Sequence, residues 1–295
     1  MPSPFPFNLF KAALTEDIGS GDITSEHFIP HASTSYARII TRKHAVAGGL
    51  AAAREVFREV DPTLIVKLLA QDGQHLQPGE SFLEVKGSTR SLLAAERVVL
   101  NFLGRLIGVA TLTRTFVEAV AGTGVTILDT RKMTPGWRLL EKEAVRAGGG
   151  KNHRIGLFDA VMIKDNHLAA IAEASPSLGK SVSSKLGALP KKIQELRADH
   201  PNIKIEVEAD TLEQVKFFLT IPEINVILLD NMNVEKLREA VAMRSAMAPQ
   251  IRLEASGGIT LENIRAIAET GIDEISLGAV THSVSWADLS LEIIN

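Results

Sequence analysis

The sequence predicts an α/β protein with a small α+β domain followed by a parallel α/β barrel, closed or partly closed; an open doubly wound sheet is the alternative. Three observations carry this reading. Up to about residue 87, short strand-like runs alternate with turns. Residues 88–120 then keep helical periodicity. After Gly122, six short β-branched runs alternate with helical stretches, as in a parallel sheet with crossover helices.

Residues 8–17 read as a short helix closed by Gly19 and Gly21. The runs 36–41 (YARIIT), 63–69 (TLIVKLL) and 81–85 read as strands, the last preceded by a turn at 77–80 (QPGE). The helix over 88–120 has candidate caps at Ser88, Thr89 and Ser91. Its apolar stripe is Leu92, Leu93, Val99, Leu100, Leu103 and Leu106. Gly104 and Gly108 mark either close packing or a break. The six later runs are 125–129, 160–163, 203–207, 226–229, 251–254 and 274–277, each expected to be apolar inside. Residues 174–190, rich in Ser, Gly and Pro, read as a mobile loop.

The chain has 295 residues, of which 45% are hydrophobic and 23% charged, which suits a folded core and excludes general disorder. The absence of cysteine excludes disulfides, thiolate metal sites and a cysteine nucleophile. A net charge of −3 argues against a nucleic-acid partner, so a bound anion must meet a local cluster of cations. The first residues lack the basic and apolar regions of a secretory signal, and no run reaches the roughly 18 apolar residues of a membrane span. The expectation is a soluble, cytoplasmic protein with no membrane partner.

The residues at the end of each apolar run are chemically distinctive. The first run leads into Thr130, Arg131 and Lys132; the second into Lys164, Asp165, Asn166 and His167. The third carries Glu206 and Glu208, and the fourth ends in Asp230 and Asn231. The fifth ends in Ser256, Gly257 and Gly258, and the sixth in Leu277, Gly278 and Ala279. Parallel α/β folds bind ligands at the carboxyl ends of their strands. Glycine turns ahead of helices expose N–H groups suited to phosphate. Arg131, Lys132, Arg154 and Lys164 can neutralise further negative charge, and arginine forks match carboxylates. Glu208 and Asp230 beside a phosphate site suggest Mg²⁺. The chemistry therefore points to a substrate carrying carboxylates and phosphates.

Simpler explanations exist for each part. Arg131 and Lys132 could cap a strand and face water. His153 and His167 could be structural, and Asp230-Asn231 could cap a helix starting near Asn233. Arg97 shares a helix face with Leu93, Leu100 and Gly104, and either snorkels to water or reaches across a subunit interface.

The segment 130–167 (TRKMTPGWRLLEKEAVRAGGGKNHRIGLFDAVMIKDNH) resembles the quinolinate phosphoribosyltransferases, also called nicotinate-nucleotide pyrophosphorylases (carboxylating). Further matches in family order are EDIGSGDIT (16–24), AERVVLNFLGRLIGVAT (95–111), EVEAD (206–210), ILLDN (227–231), EASGGIT (254–260) and LGAVTHS (277–283). The resemblance implies an N-terminal α/β sandwich domain with its linking helix over 1–108, an incomplete α/β barrel of six main strands over 109–280, and a segment 281–295 returning to the N-terminal domain. It implies a homodimer or higher, and the conversion of quinolinate and 5-phosphoribosyl 1-diphosphate to nicotinate mononucleotide, diphosphate and CO₂ with Mg²⁺. Carried over by position, Arg131, Arg154 and Lys164 would hold the quinolinate carboxylates, with His153 close by and Arg97 given to the neighbouring subunit. Lys132, Glu208 and Asp230 would serve as catalytic groups in the diphosphate, Mg²⁺ and ribose region, Glu208 and Asp230 partly through water. Thr130, Ser256, Gly257, Gly258, Leu277, Gly278, Ala279 and His282 would line the phosphoribosyl site. Met133 and Trp137 depart from the family pattern without removing a charge. A sister enzyme acting on nicotinate and a non-catalytic sensor of phosphorylated sugars are the rivals.

Overall fold

The computed structural model describes residues 8–174 and 181–294. The chain forms two compact units. One comprises Met1–Thr115, Lys132–Gly150 and Gly278–Asn295, the other Phe116–Arg131 and Lys151–Leu277.

In chain order the elements begin with α1 (Leu9–Ile18), α2 (Ile23–Phe28), β1 (Thr34–Thr41), β2 (Ala45–Val46), α3 (Leu50–Val60), β3 (Ile65–Leu68), β4 (His75–Leu76), β5 (Ser81–Ser88) and α4 (Thr89–Ala119). Then come β6 (Thr126–Leu128), α5 (Arg138–Ala147), β7 (Ala160–Ile163), α6 (Asp165–Ala174), α7 (Val182–Lys185), α8 (Leu189–Asp199), β8 (Lys204–Ala209) and α9 (Leu212–Phe218). The last are β9 (Val226–Asp230), α10 (Val234–Met247), β10 (Arg252–Ser256), α11 (Ile264–Ala268), β11 (Glu274–Ser276), α12 (Ala279–His282) and β12 (Leu289–Ile294).

The first unit holds an antiparallel sheet of order β12-β1-β5-β3 and a small β2-β4 pair. Alternation sets its faces. Ala37 and Ile39 of β1 lie opposite Val85 and Leu83 of β5, and these join Leu14, Val56, Phe57, Leu92 and Leu103 from the helices in one core. Arg38 points to the other face and pairs with Glu292 at 3.0 Å, both half-exposed. One apolar face under helices and one wet face make an open-faced sandwich. Asn8 caps α1 rather than lying within it, accepting from Lys11 N at 3.1 Å, and the chain leaves as expected at Gly19 with φ +55°.

The long helix α4 runs unbroken through Gly104 and Gly108. Close packing is the reason for Gly108: a Cβ there would overlap Ser285 O and lie 2.7 Å from Val284 Cγ1, whereas one at Gly104 would meet Ala287 O and Trp286 only at 3.4 Å, an ordinary contact. Ser88 lies at its start, its Oγ 3.4 Å from Ser91 N.

The second unit is a six-stranded parallel sheet, β6-β11-β10-β9-β8-β7. Among the described residues β6 and β7 do not pair, so the barrel is incomplete. Two expectations need correction. The strands are not wholly apolar inside: Glu206 and Glu208 on β8, Glu254 on β10 and Glu274 on β11 are all buried. Acids two residues apart share a strand face, and the intervening Val207 and flanking aliphatic residues keep the run apolar on average. The stretch 174–190 is not one loop either. Ser181 caps α7, and α8 begins at Leu189 with proline in its first turn, while 175–180 lie outside the described residues. Among the described residues no helix is long and apolar enough to cross a membrane.

Candidate active site

The second unit gathers the cations and acids at its strand ends. Asp129, fully buried after β6, fixes the segment 152–154. Its Oδ1 accepts from His153 N at 2.8 Å and its Oδ2 from Asn152 Nδ2 at 2.7 Å. His153 Nε2 lies 2.9 Å from Glu206 Oε2, and its Nδ1 accepts the backbone N–H of Arg154 at 2.8 Å. Burial disfavours a charged imidazole, whereas Glu206 and Glu254 draw its proton affinity upward on balance. The bond from Arg154 uses the Nδ1 lone pair, so in this geometry the ring is neutral with its proton on Nε2.

Arg154 Nη1 donates to Ala160 O at 3.1 Å. Burial lowers its basicity, and the positive charge of Arg131 lowers it further. Two guanidinium groups this near each other form a receptor for an anion. Lys164, at the end of β7, reaches Glu208 with Nζ–Oε2 at 3.4 Å. His167 Nδ1 accepts from Lys164 N at 3.0 Å, which makes His167 structural.

Glu208 and Asp230 do come together, and Asp210 joins them. Their ligand oxygens lie within 4.8 Å of one another. Burial raises the Glu208 carboxyl above the ordinary carboxylate range, Lys164 opposes this, and Asp230 and Asp165 add to it. Three hard oxygen donors suit Mg²⁺, which binds through few carboxylates and keeps its waters. Asp210 was missed among the site residues because it lies beyond β8 rather than standing on it. The signal was present in EVEAD, where the third acid keeps the two-residue spacing. Asp230-Asn231 is not the cap of α10; Asn233 is, accepting from Lys236 N at 3.0 Å.

After β10 the chain turns through Ser256, Gly257 (φ +89°) and Gly258 (φ +62°). Asn263 holds this turn, accepting from Thr260 N at 2.8 Å and donating to Gly258 O at 3.0 Å. The helix beyond it starts only at Ile264, so an anion here would be met by the N–H groups of the turn itself rather than by a helix end. Leu277 N donates to Leu128 O at 2.9 Å, fixing the end of β11 beside that of β6.

The first unit carries Lys132, Gly278, Ala279 and His282. Thr281 Oγ1 donates to Lys132 O at 2.8 Å. A Cβ at Gly278 would lie 2.9 Å from His282 Nε2 and 3.0 Å from Lys132 Cδ, so both side chains pack over bare backbone. Glu141, fully buried, anchors the segment after Lys132: Oε1 accepts from Arg105 at 2.8 Å and Oε2 from Thr134 N at 3.1 Å. Trp137 stacks on Phe102 at 4.3 Å, which gives that departure from the family pattern a packing role. Within this unit Arg105, Lys132, Trp137, His282 and Trp286 help line a cavity of about 550 Å³. Arg97 is exposed on α4.

An open-faced sandwich, an incomplete parallel barrel and strand ends bearing paired guanidiniums, an acid cluster and a left-handed glycine turn define an α/β protein that takes polyanionic ligands. The family models for the quinolinate phosphoribosyl transferase N-terminal and C-terminal domains match residues 22–107 and 109–292. This chain belongs to the quinolinate phosphoribosyl transferase family. It is 42% identical over 94% of its length to the probable nicotinate-nucleotide pyrophosphorylase [carboxylating] of Bacillus subtilis, covering 90% of that protein. It is 40% identical over 96% of its length to the nicotinate-nucleotide pyrophosphorylase [carboxylating] of Mycobacterium leprae, covering 95% of it. Among solved structures, that of NadC from Streptococcus pyogenes superposes with a TM-score of 0.85 at 36% identity, covering 97% of this chain and 96% of that one.

Proposed function

We propose that the chain transfers a phosphoribosyl group from 5-phosphoribosyl 1-diphosphate to quinolinate with loss of CO₂, giving nicotinate mononucleotide and diphosphate for NAD synthesis. The observation that carries this is the Arg131–Arg154 pair. The positive charge of Arg131 lowers the basicity of Arg154, so the two guanidiniums lie close enough to share a rigid dicarboxylate. Nicotinate, with one carboxylate, leaves one of the pair uncompensated.

In this reading Arg131, Arg154 and Lys164 bind the two carboxylates and orient the ring nitrogen toward the ribose C1. The left-handed turn at Ser256–Gly258 offers N–H groups to phosphate. Gly278, Ala279 and His282, held in place by the buried Leu277, supply a second stretch of backbone and an imidazole, and Thr130 supplies a hydroxyl. Glu208, Asp210 and Asp230 would hold Mg²⁺, which when bound supplies charge neutralisation to the diphosphate. Lys132 adds a positive charge for the same leaving group. As the C1–diphosphate bond breaks, the ring nitrogen forms the new bond to C1. The adjacent carboxylate then departs as CO₂, its electron pair stays on C2 beside the positive ring nitrogen that stabilises it, and a proton from solvent forms the new C2–H bond. No residue needs to form a covalent intermediate; the residues position and neutralise.

Exposed Arg97 would enter a neighbouring subunit's site in a homodimer or larger assembly. Phosphorylated substrates do not cross a bilayer unaided, which favours a cytoplasmic site of action. The test is nicotinate mononucleotide formation by the purified chain, with and without EDTA. Metal-dependent product is expected; no product under saturating substrates contradicts the reading.

A further inference from the structure

The barrel interior holds more charge than the reaction needs. Glu206 and Glu254 are buried beside His153, and Glu274 is buried nearby in the strand register of Glu254, with Lys204 at 3.9 Å from Glu206 and 4.0 Å from Glu274, and Arg252 at 3.2 Å from Glu274. Glu254 Oε2 lies 3.7 Å from His153 Nε2, and neither Glu254 oxygen nor Glu206 Oε1 makes a well-formed hydrogen bond. Buried charge of this kind is a poor route to stability, so its retention calls for another account.

We propose that Glu206 and Asp129 are positioning residues that set the Arg154 guanidinium through His153. Asp129 grips the His153 backbone N–H at 2.8 Å. Glu206 faces the ring at Nε2, 2.9 Å away, and so fixes both its orientation and its tautomer. Nδ1 is thereby left as the acceptor for Arg154 N at 2.8 Å. The Arg154 side chain, fixed at its own backbone, then donates to Ala160 O at the start of β7. The chain of contacts leads from the barrel interior to the cation without Glu206 or Asp129 touching substrate. This is the arrangement by which outer residues orient the groups that bind a ligand directly.

The inference rests on Arg154 binding a substrate carboxylate, so turnover of quinolinate by the unmodified chain is established first; its failure would count against the functional reading alone. The test is a double-mutant cycle of Glu206→Gln with Arg154→Lys. Glu206→Gln should raise KM for quinolinate about tenfold, with kcat and KM for the phosphoribosyl donor within about twofold. In the Arg154→Lys background the same change should add less than about twofold. Equal effects in both backgrounds, or an equal rise in both KM values, would overturn the proposal. Nitrogen NMR of the histidine-labelled protein, with His153 assigned by His153→Gln, reads the positioning even if Glu206→Gln does not fold. A neutral ring with the proton on Nε2 is expected at pH 7.5. An imidazolium, a proton on Nδ1, or stoichiometric transition metal bound at His153, Glu206 and Glu254 would overturn it.

Discussion

Asn231 occupies the space that a side chain at Gly257 would need. A Cβ at Gly257 would overlap Asn231 Oδ1, and Gly257 already has φ +89°. Asn231 is itself left-handed, with φ +52°, and donates its backbone N–H to Ser256 O at 2.9 Å. The end of β9 and the turn after β10 are therefore fitted to each other. Gly257→Ala should raise KM for the phosphoribosyl donor at least tenfold. Gly79 has φ +80° but open space around it. Gly79→Ala should cost only the backbone strain, about 1–2 kcal/mol, with KM unchanged. Melting curves and steady-state kinetics on the two variants separate strain from overlap.

Arg131→Lys keeps the charge and loses the fork. Losing charge-assisted bonding of about 1.5–3 kcal/mol corresponds to roughly a 10- to 150-fold fall in kcat/KM for quinolinate. Arg265→Lys, at an exposed surface pair with Glu269, should change it less than about twofold. Equal effects of the two changes would remove Arg131 from the carboxylate site.

Glu254 gives the fold a pH dependence whose sign can be stated. Burial, then the charge of Glu206, pushes its carboxyl up to about 8 from an ordinary value of 4.5. Between those values the folded chain holds a proton that the unfolded chain has released. Stability from this group is therefore complete below pH 4.5 and is lost as pH rises through about 8. Glu254→Gln keeps the neutral form permanently, so the fall in melting temperature from pH 5 to 8.5 should be shallower in the variant. Parallel curves would assign the proton elsewhere.

Exposed Arg97 carries the subunit-sharing reading. Arg97→Ala and Lys164→Ala should each be nearly inactive alone. Unfolding and refolding them together should restore up to roughly a quarter of wild-type activity, the share expected of a mixed dimer population with one intact site. No recovery after confirmed subunit exchange would contradict the sharing.

Much of the fold was legible because the parallel strands are dense in β-branched residues and their ends carry unlike chemistry. The runs ending in Lys164, Asp230 and Ser256 could be placed within one or two residues of β7, β9 and β10. The acids inside the barrel were harder to read. Glu254 and Glu274 are opposite each other in the β10–β11 register, a relationship created by pairing between distant segments. Asp129 looked like the end of an apolar run; its grip on His153, 24 residues along, is tertiary. Gly108 left packing and kinking open because the deciding neighbour, Ser285, is remote in sequence.

The central claim is that the paired guanidiniums select a dicarboxylate and that its decarboxylation accompanies phosphoribosyl transfer. Carboxyl-labelled quinolinate and nicotinate, each supplied with 5-phosphoribosyl 1-diphosphate and Mg²⁺, test it directly. CO₂, diphosphate and nicotinate mononucleotide should form in equal amounts from quinolinate, with at least a hundredfold lower kcat/KM for nicotinate. Comparable use of nicotinate, or nucleotide formed without CO₂, would contradict it.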